Sequence, residues 1–134
     1  MWIIYIFLFA YQEIKTTSLE GRLKQISVMC VDSINRRILL GTEGGNVYFL
    51  NLWNFKIDES IIFQDLVMKN SPDDFKVNPG AVEALLLHPT ENDKILLGYA
   101  RGLIVIWDRK EEKGIWNNTS IYQCYLMLEN CTIE

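Results

Sequence analysis

An all-β fold is predicted by three features of this chain: a strand, turn, strand unit that occurs twice, glycines at matching positions inside it, and strands that are apolar on both faces. The unit reads Ile38-Leu-Leu-Gly-Thr-Glu-Gly-Gly-Asn-Val-Tyr-Phe-Leu-Asn51 in its first copy. Its second copy, 57 positions on, is Ile95-Leu-Leu-Gly-Tyr-Ala-Arg-Gly-Leu-Ile-Val-Ile-Trp-Asp108. A repeat of this kind marks an architecture in which each unit buries itself against the next. Gly41, Gly44 and Gly45 interrupt the first copy and Gly98 and Gly102 the second, and each would cost about 1 kcal/mol in a helix interior. The units are therefore strands joined by turns.

The chain opens on ten apolar residues, Trp2 to Tyr11, and residues 1–23 are set apart as an apolar leader. The run is shorter than the roughly 20 residues that span a bilayer. It has the length of a signal-peptide core, but no Lys or Arg precedes it and no small-x-small cleavage site follows. A buried strand, or a start foreign to the rest of the gene, is the preferred reading.

The first unit occupies residues 24–64, with strands expected at Ile26 to Val31, Arg37 to Thr42 and Asn46 to Leu52 and an outer strand at Ser60 to Gln64. The second occupies residues 81–110, with strands at Ala81 to Leu87, Lys94 to Tyr99 and Leu103 to Trp107 and no outer strand, so it is read as incomplete. Each run is rich in Val, Ile, Leu and aromatics and is bounded by Gly, Asn, Asp or Pro, the signature of a strand. Glu43-Gly-Gly-Asn46 and Ala100-Arg-Gly-Leu103 are hairpin turns, with Gly45 and Gly102 at equivalent places for the positive φ such turns need. Residues 65–80 are expected as an extended inter-blade loop, because Ser71-Pro-Asp-Asp74 and Asn78-Pro-Gly80 are strong turn formers. Residues 111–134 read as a divergent tail.

Val47-Tyr-Phe-Leu50 and Leu103-Ile-Val-Ile-Trp107 carry no polar face. A sheet wetted on one side would alternate, so both faces of these strands must be covered. The blades of a β-propeller, each packed between the one before and the one after, meet that demand. The sequence thus predicts part of a propeller, about two blades of antiparallel strands with a long inter-blade loop.

Composition narrows the function. The chain has 134 residues, a net charge of -4 and 13 scattered Lys and Arg, which offers no basic field to a phosphate backbone. Nucleic acid is disfavoured as a partner. Cys30, Cys124 and Cys131 form no Cys-x-x-Cys pair or zinc quartet and read as reduced, structural thiols. The sequons at Asn117, Asn118 and Asn130 matter only in a secreted chain.

Candidate chemistry is sparse. His88, the single histidine, stands in a turn before Pro89 with no readable nucleophile or orienting acid, and is read as structural rather than catalytic. Asp73 and Asp74 sit in a Pro-bounded loop and read as solvated turn residues rather than a metal pair. The glycines of residues 41–45 lack the Gly-Lys-Ser/Thr ending of a phosphate cradle and lead into a strand instead of a helix. No catalytic residue, cofactor, metal or small-molecule substrate is expected.

Trp107-Asp108, closing the second unit, looks like the Trp-Asp dipeptide of WD40 propellers. Gly41-Thr-Glu-Gly-Gly-Asn-Val47, Gln64-Asp-Leu-Val-Met68, Pro72-Asp-Asp-Phe-Lys-Val-Asn-Pro-Gly-Ala-Val-Glu83 and Gly98 to Asp108 together resemble the lethal giant larvae family of WD40 proteins. The resemblance covers about residues 25–110. The Gly-His pair and hairpin Asp of the general WD40 pattern are absent, and the first unit ends Leu50-Asn51 where Trp-Asp would stand; the family's blades are degenerate in this way.

The resemblance implies a non-catalytic WD40 scaffold acting in cell polarity and regulated exocytosis. Its implied partners are SNARE proteins such as syntaxin, non-muscle myosin II and the atypical protein kinase C complex, and its place is the cytoplasm, cell cortex or peripheral plasma membrane. Gly41, Gly45, Gly98, Gly102, Trp107 and Asp108 are expected as structural residues, with Trp107 wedged between blades and Asp108 bonding local backbone. Leu66, Met68, Asp73, Asp74, Phe75 and Lys76 are candidate interface residues, packing onto the propeller's own surface being the other reading. Two further classes are weighed: a truncated product or structural remnant without activity of its own, and an extracellular β domain glycosylated at its sequons.

Overall fold

The computed structural model describes the backbone of residues 3–8 and 13–18 and, with side chains, residues 25–69, 71 and 78–115. Among these described residues ten elements follow one another: β1 (Ile3–Leu8), β2 (Glu13–Ser18), β3 (Ile26–Asp32), β4 (Arg37–Thr42), β5 (Val47–Asn51), α1 (Gln64–Lys69), β6 (Val82–Leu87), β7 (Lys94–Tyr99), β8 (Ile104–Asp108) and β9 (Lys113–Ile115). They form a two-stranded sheet β1-β2, a three-stranded sheet β3-β4-β5 and a four-stranded sheet β6-β7-β8-β9, antiparallel at every pairing. The protein is a partial β-propeller of about two blades. Strand β1 pairs with β2 from Ile3 opposite Ser18 to Leu8 opposite Glu13.

The two repeat units build the second and third sheets in the same register. Leu39 faces Phe49 across β4 and β5, and their counterparts Leu96 and Ile106 face each other across β7 and β8. Strands β4, β5, β7 and β8 are buried along almost their whole length, whereas β3 alternates between exposed and half-buried residues. Alternation is what an edge strand with one wet face shows; continuous burial is what covered inner strands show.

Leu39, Val47 and Phe49 of the first blade meet Val82, Leu85, Ile95, Leu97, Tyr99, Val105 and Trp107 of the second in one core. Ile38, Leu40, Tyr48 and Leu50, on the opposite face of the first blade, form a second core with Phe55. Fully burying a side chain of this size stabilises by about 1.5–3 kcal/mol. The shared core therefore holds the two sheets together as neighbours.

Three sequence expectations need correction. No outer strand runs through Ser60 to Gln64: of this segment only Ile62 bridges β5, at Val47, and the next bridge, Leu50 to Ile57, lies before it. Between these bridges β5 advances three residues while the facing chain retreats five, so a regular ladder cannot form. Phe55 is the physical reason. It is buried in the second core and holds φ at 56°, which pulls the chain inward after the Leu52–Asn54 turn.

The second blade, in contrast, does have an outer strand. Ile115 and Lys113 of β9 face Ile106 and Asp108 of β8, beyond the boundary drawn at residue 110. Asp108 Oδ1 accepts the backbone N–H groups of Lys110 and Glu111 at 2.9 and 3.1 Å, and Glu112 takes φ 49°, which turns the chain back on itself. The segment expected as a loop from residue 65 also begins inside α1.

Candidate functional site

The place where the two blades meet is built from three close approaches and ends in an open cleft. Gly41 in β4 lies against the first strand of the next blade. A Cβ there would stand 2.6 Å from Val28 Cγ1 and 2.8 Å from Val82 Cγ1, so only glycine lets β4 and β6 come this near. Ser27 Oγ donates to the carbonyl of Val82 in the same region. Tyr99 supplies the second approach, its buried hydroxyl donating to the Gly45 carbonyl at 3.3 Å. Burial pushes the Tyr99 phenol well above its ordinary pKa of 10.0, keeping it a donor throughout the neutral range.

The third approach is a cationic stack. Arg109, just past β8, places Cζ 4.6 Å from the centroid of the Phe49 ring, and Arg37 of the first blade places its own 5.2 Å from the same ring. Cations over an aromatic face are attracted by the ring quadrupole, by about 0.5–1 kcal/mol where exposed and more when desolvated. Burial and the neighbouring Arg37 charge hold the Arg109 pKa below its ordinary value, against the opposing pull of Asp93, Asp32 and Asp58. Asp32 is 2% exposed and accepts from Asn35 Nδ2 at 2.8 Å and Arg37 Nε at 2.9 Å.

Helix α1 closes the outer end. Asn46 Oδ1, in the first hairpin turn, accepts the Gln64 N–H at 2.9 Å, and Gln64 Nε2 donates to Asn78 Oδ1 at 3.2 Å. Asn78 in turn accepts the N–H of Gly80 at 2.8 Å. Val67 is fully buried in the shared core. Below the helix lies a cleft of about 440 Å³ whose floor includes the buried Phe49, Ile62 and Trp107, with Phe63 and Leu66 as walls and Glu59 and Glu112 at the rim.

The residues singled out from sequence are distributed as follows. Trp107 is 2% exposed and belongs to the shared core. Gly45 and Gly102 hold φ of 81° and 87° in the two hairpin turns, and a Cβ on Gly98 would meet Ala84 within its own blade at 3.0 Å. Leu66 and Met68 are half-buried and pack against the shared core. Asp73, Asp74, Phe75 and Lys76 lie outside the described residues, as do the sequons and Cys124 and Cys131. His88 is a turn staple: Nδ1 accepts the N–H of Glu91 at 3.0 Å. The cleft residues Phe63, Glu59, Arg109 and Glu112 were not singled out by sequence. An aromatic next to Ile62 in a segment read as an edge strand was the one available signal.

No family model matches the chain. Its curated relatives do decide the family. The Lethal(2) giant larvae protein of Drosophila pseudoobscura pseudoobscura is 45% identical over 96 residues, 71% of this chain. The protein of the same name from Drosophila melanogaster is 42% identical over 95 residues, also 71% of this chain. The chain belongs to the lethal giant larvae family.

A human member, LLGL scribble cell polarity complex component 2, is 35% identical over 102 residues, 74% of this chain. The chain spans only 8–10% of the length of these lethal giant larvae relatives. Among the described residues, no helix is long and apolar enough to cross a membrane.

Proposed function

We propose that this chain contributes two neighbouring blades to a non-catalytic propeller scaffold of the lethal giant larvae type, which acts in cell polarity and regulated exocytosis by binding other proteins. The observation that supports this reading is the shared core between the sheets, through which Gly41 meets Val82 and Tyr99 reaches Gly45. Such a seam is a means of stacking blades, and a stack of blades offers rims and inter-blade loops as binding surfaces. The human relative is named a component of a cell polarity complex. Family resemblance extends the proposal to SNARE proteins such as syntaxin, non-muscle myosin II and the atypical protein kinase C complex as partners, at the cell cortex or peripheral plasma membrane.

The test is a chimera. Residues 25–110 replace the matching segment of the Drosophila melanogaster protein, and the three partner classes are recovered from cells by co-precipitation. The proposal expects recovery at the level of the parent protein. A chimera that is soluble and cooperatively folded but recovers none of them contradicts it. Exchanging Met68 to Val77 for a flexible linker in the same chimera tests whether the inter-blade segment is the docking surface.

A further inference from the structure

We propose that the cleft below α1 is a docking site for an extended segment of another protein that carries one bulky apolar side chain flanked by Lys or Arg. The proposal deepens the scaffold reading and rests on it. The first observation is the apolar lining. Phe49 and Trp107 are buried, but Phe63 at the mouth is 48% exposed. A large side chain left half in water beside a cleft of about 440 Å³ is the arrangement of a pocket that accepts an anchor, with the anchor's burial covering Phe63 as well.

The second observation is charge. Glu59 and Glu112 stand exposed at the rim, and neither makes a salt bridge among the described residues. Arg109 is the cation in the lining; it lies over the Phe49 ring and, like the two glutamates, makes no salt bridge among the described residues. The nearby Lys113 pairs with Glu111, and Lys110 pairs with Asp93 at 2.8 Å. Two carboxylates against one guanidinium leave the lining net negative, and complementarity selects cations beside the anchor. A second copy of this chain, at net charge -4, fits the rim poorly.

The probe is a fluorescein-labelled peptide, Lys-Lys-Ala-Leu-Phe-Leu-Ala-Lys-Lys-amide, titrated with the full 134-residue chain by fluorescence anisotropy. The control peptide has Glu in place of every Lys. Expected is saturable binding of the first peptide and at least tenfold weaker binding of the second, with affinity falling as salt rises. The double variant Glu59→Lys, Glu112→Lys should weaken the first peptide at least tenfold, and Phe63→Ser at least fivefold. Glu83→Lys, an exposed change on β6 outside the cleft, should stay within twofold. These are surface positions, and circular dichroism of each variant verifies that the fold is kept.

Equal binding of the two peptides, no binding of either, or the same loss with Glu83→Lys as with the rim variants would overturn the proposal. So would mutual competition between copies of the chain for the cleft. Failure here leaves partner recovery by the chimera unaffected, so the two readings fail separately.

Discussion

The phenol of Tyr99 in β7 donates its hydrogen bond to the carbonyl of Gly45, 54 positions earlier and in the other blade. Both groups are buried at the seam, where neither can exchange its partner for water at no cost. Local turn geometry and blade packing are joined at this point, because Gly45 owes its place to a φ of 81° in the hairpin turn.

Tyr99→Phe should destabilise the chain by about 1–3 kcal/mol, the cost of leaving a buried acceptor without its donor. Urea unfolding would register this as a lower midpoint at unchanged slope. The sign of the pH effect follows from linkage. The folded phenol keeps its proton at pH values where the unfolded one has lost it, so stability falls as pH rises above the unfolded value of 10.0. In Tyr99→Phe this part of the alkaline loss should be missing.

Gly41→Ala should cost about 1–3 kcal/mol, as overpacking does when a core cannot yield. The added methyl meets Val82 of the next blade and Val28 of its own, so the damage falls on the seam. Gly102→Ala is the contrasting case: nothing lies within 4 Å, and the penalty comes from φ at 87°, about 1–2 kcal/mol for a left-handed residue. Hydrogen exchange should separate them, with faster exchange in β4 and β6 for the first and in the β7–β8 turn for the second.

Asp32→Asn should reduce stability at pH 7 by about 1.5–3 kcal/mol, the range for hydrogen bonds to charged groups. Burial pushes the Asp32 pKa up, but the Asn35 and Arg37 hydrogen bonds together outweigh it and hold the carboxyl below 3.8. A carboxyl lowered on folding contributes stability above its unfolded pKa, and loses that contribution as pH falls through the folded value. Acid titration followed by circular dichroism should therefore show a smaller stability loss below pH 3.8 in Asp32→Asn than in the parent chain.

Met29 and Val31 project from β3 with 58% and 64% of their surface exposed, beside the buried Leu40 and Ile38 across the strand pair. An open apolar edge strand invites association. Val31→Lys should leave stability within about 0.5 kcal/mol and reduce self-association, as measured by sedimentation velocity over a range of concentrations.

The inner strands were legible in sequence because their signals are local. Ile38 to Asn51 and Ile95 to Asp108 carry glycine-bounded turns and unbroken apolar runs, and their two-sided burial already implied a covering sheet. The far ends of each unit were not legible, since tertiary contacts decide them. Residues 60–64 have strand composition, yet Phe55 anchors in the second core and breaks their ladder with β5. Lys113-Gly-Ile115 has almost no strand character alone, and its pairing with β8 depends on the Asp108 carboxylate that forms the turn. The cleft escaped notice for a related reason: its lining comes from positions as distant as Phe49 and Glu112, and only the seam unites them.

The central claim is that the two repeat units are adjacent blades packed face to face, and proton NMR tests it most directly. Nuclear Overhauser spectra of the full chain, with methyl-labelled valine, should contain cross-peaks from the Gly41 α protons to the methyl groups of both Val28 and Val82. Cross-peaks to Val28 without any to Val82, while the pairings within each sheet remain intact, would contradict it.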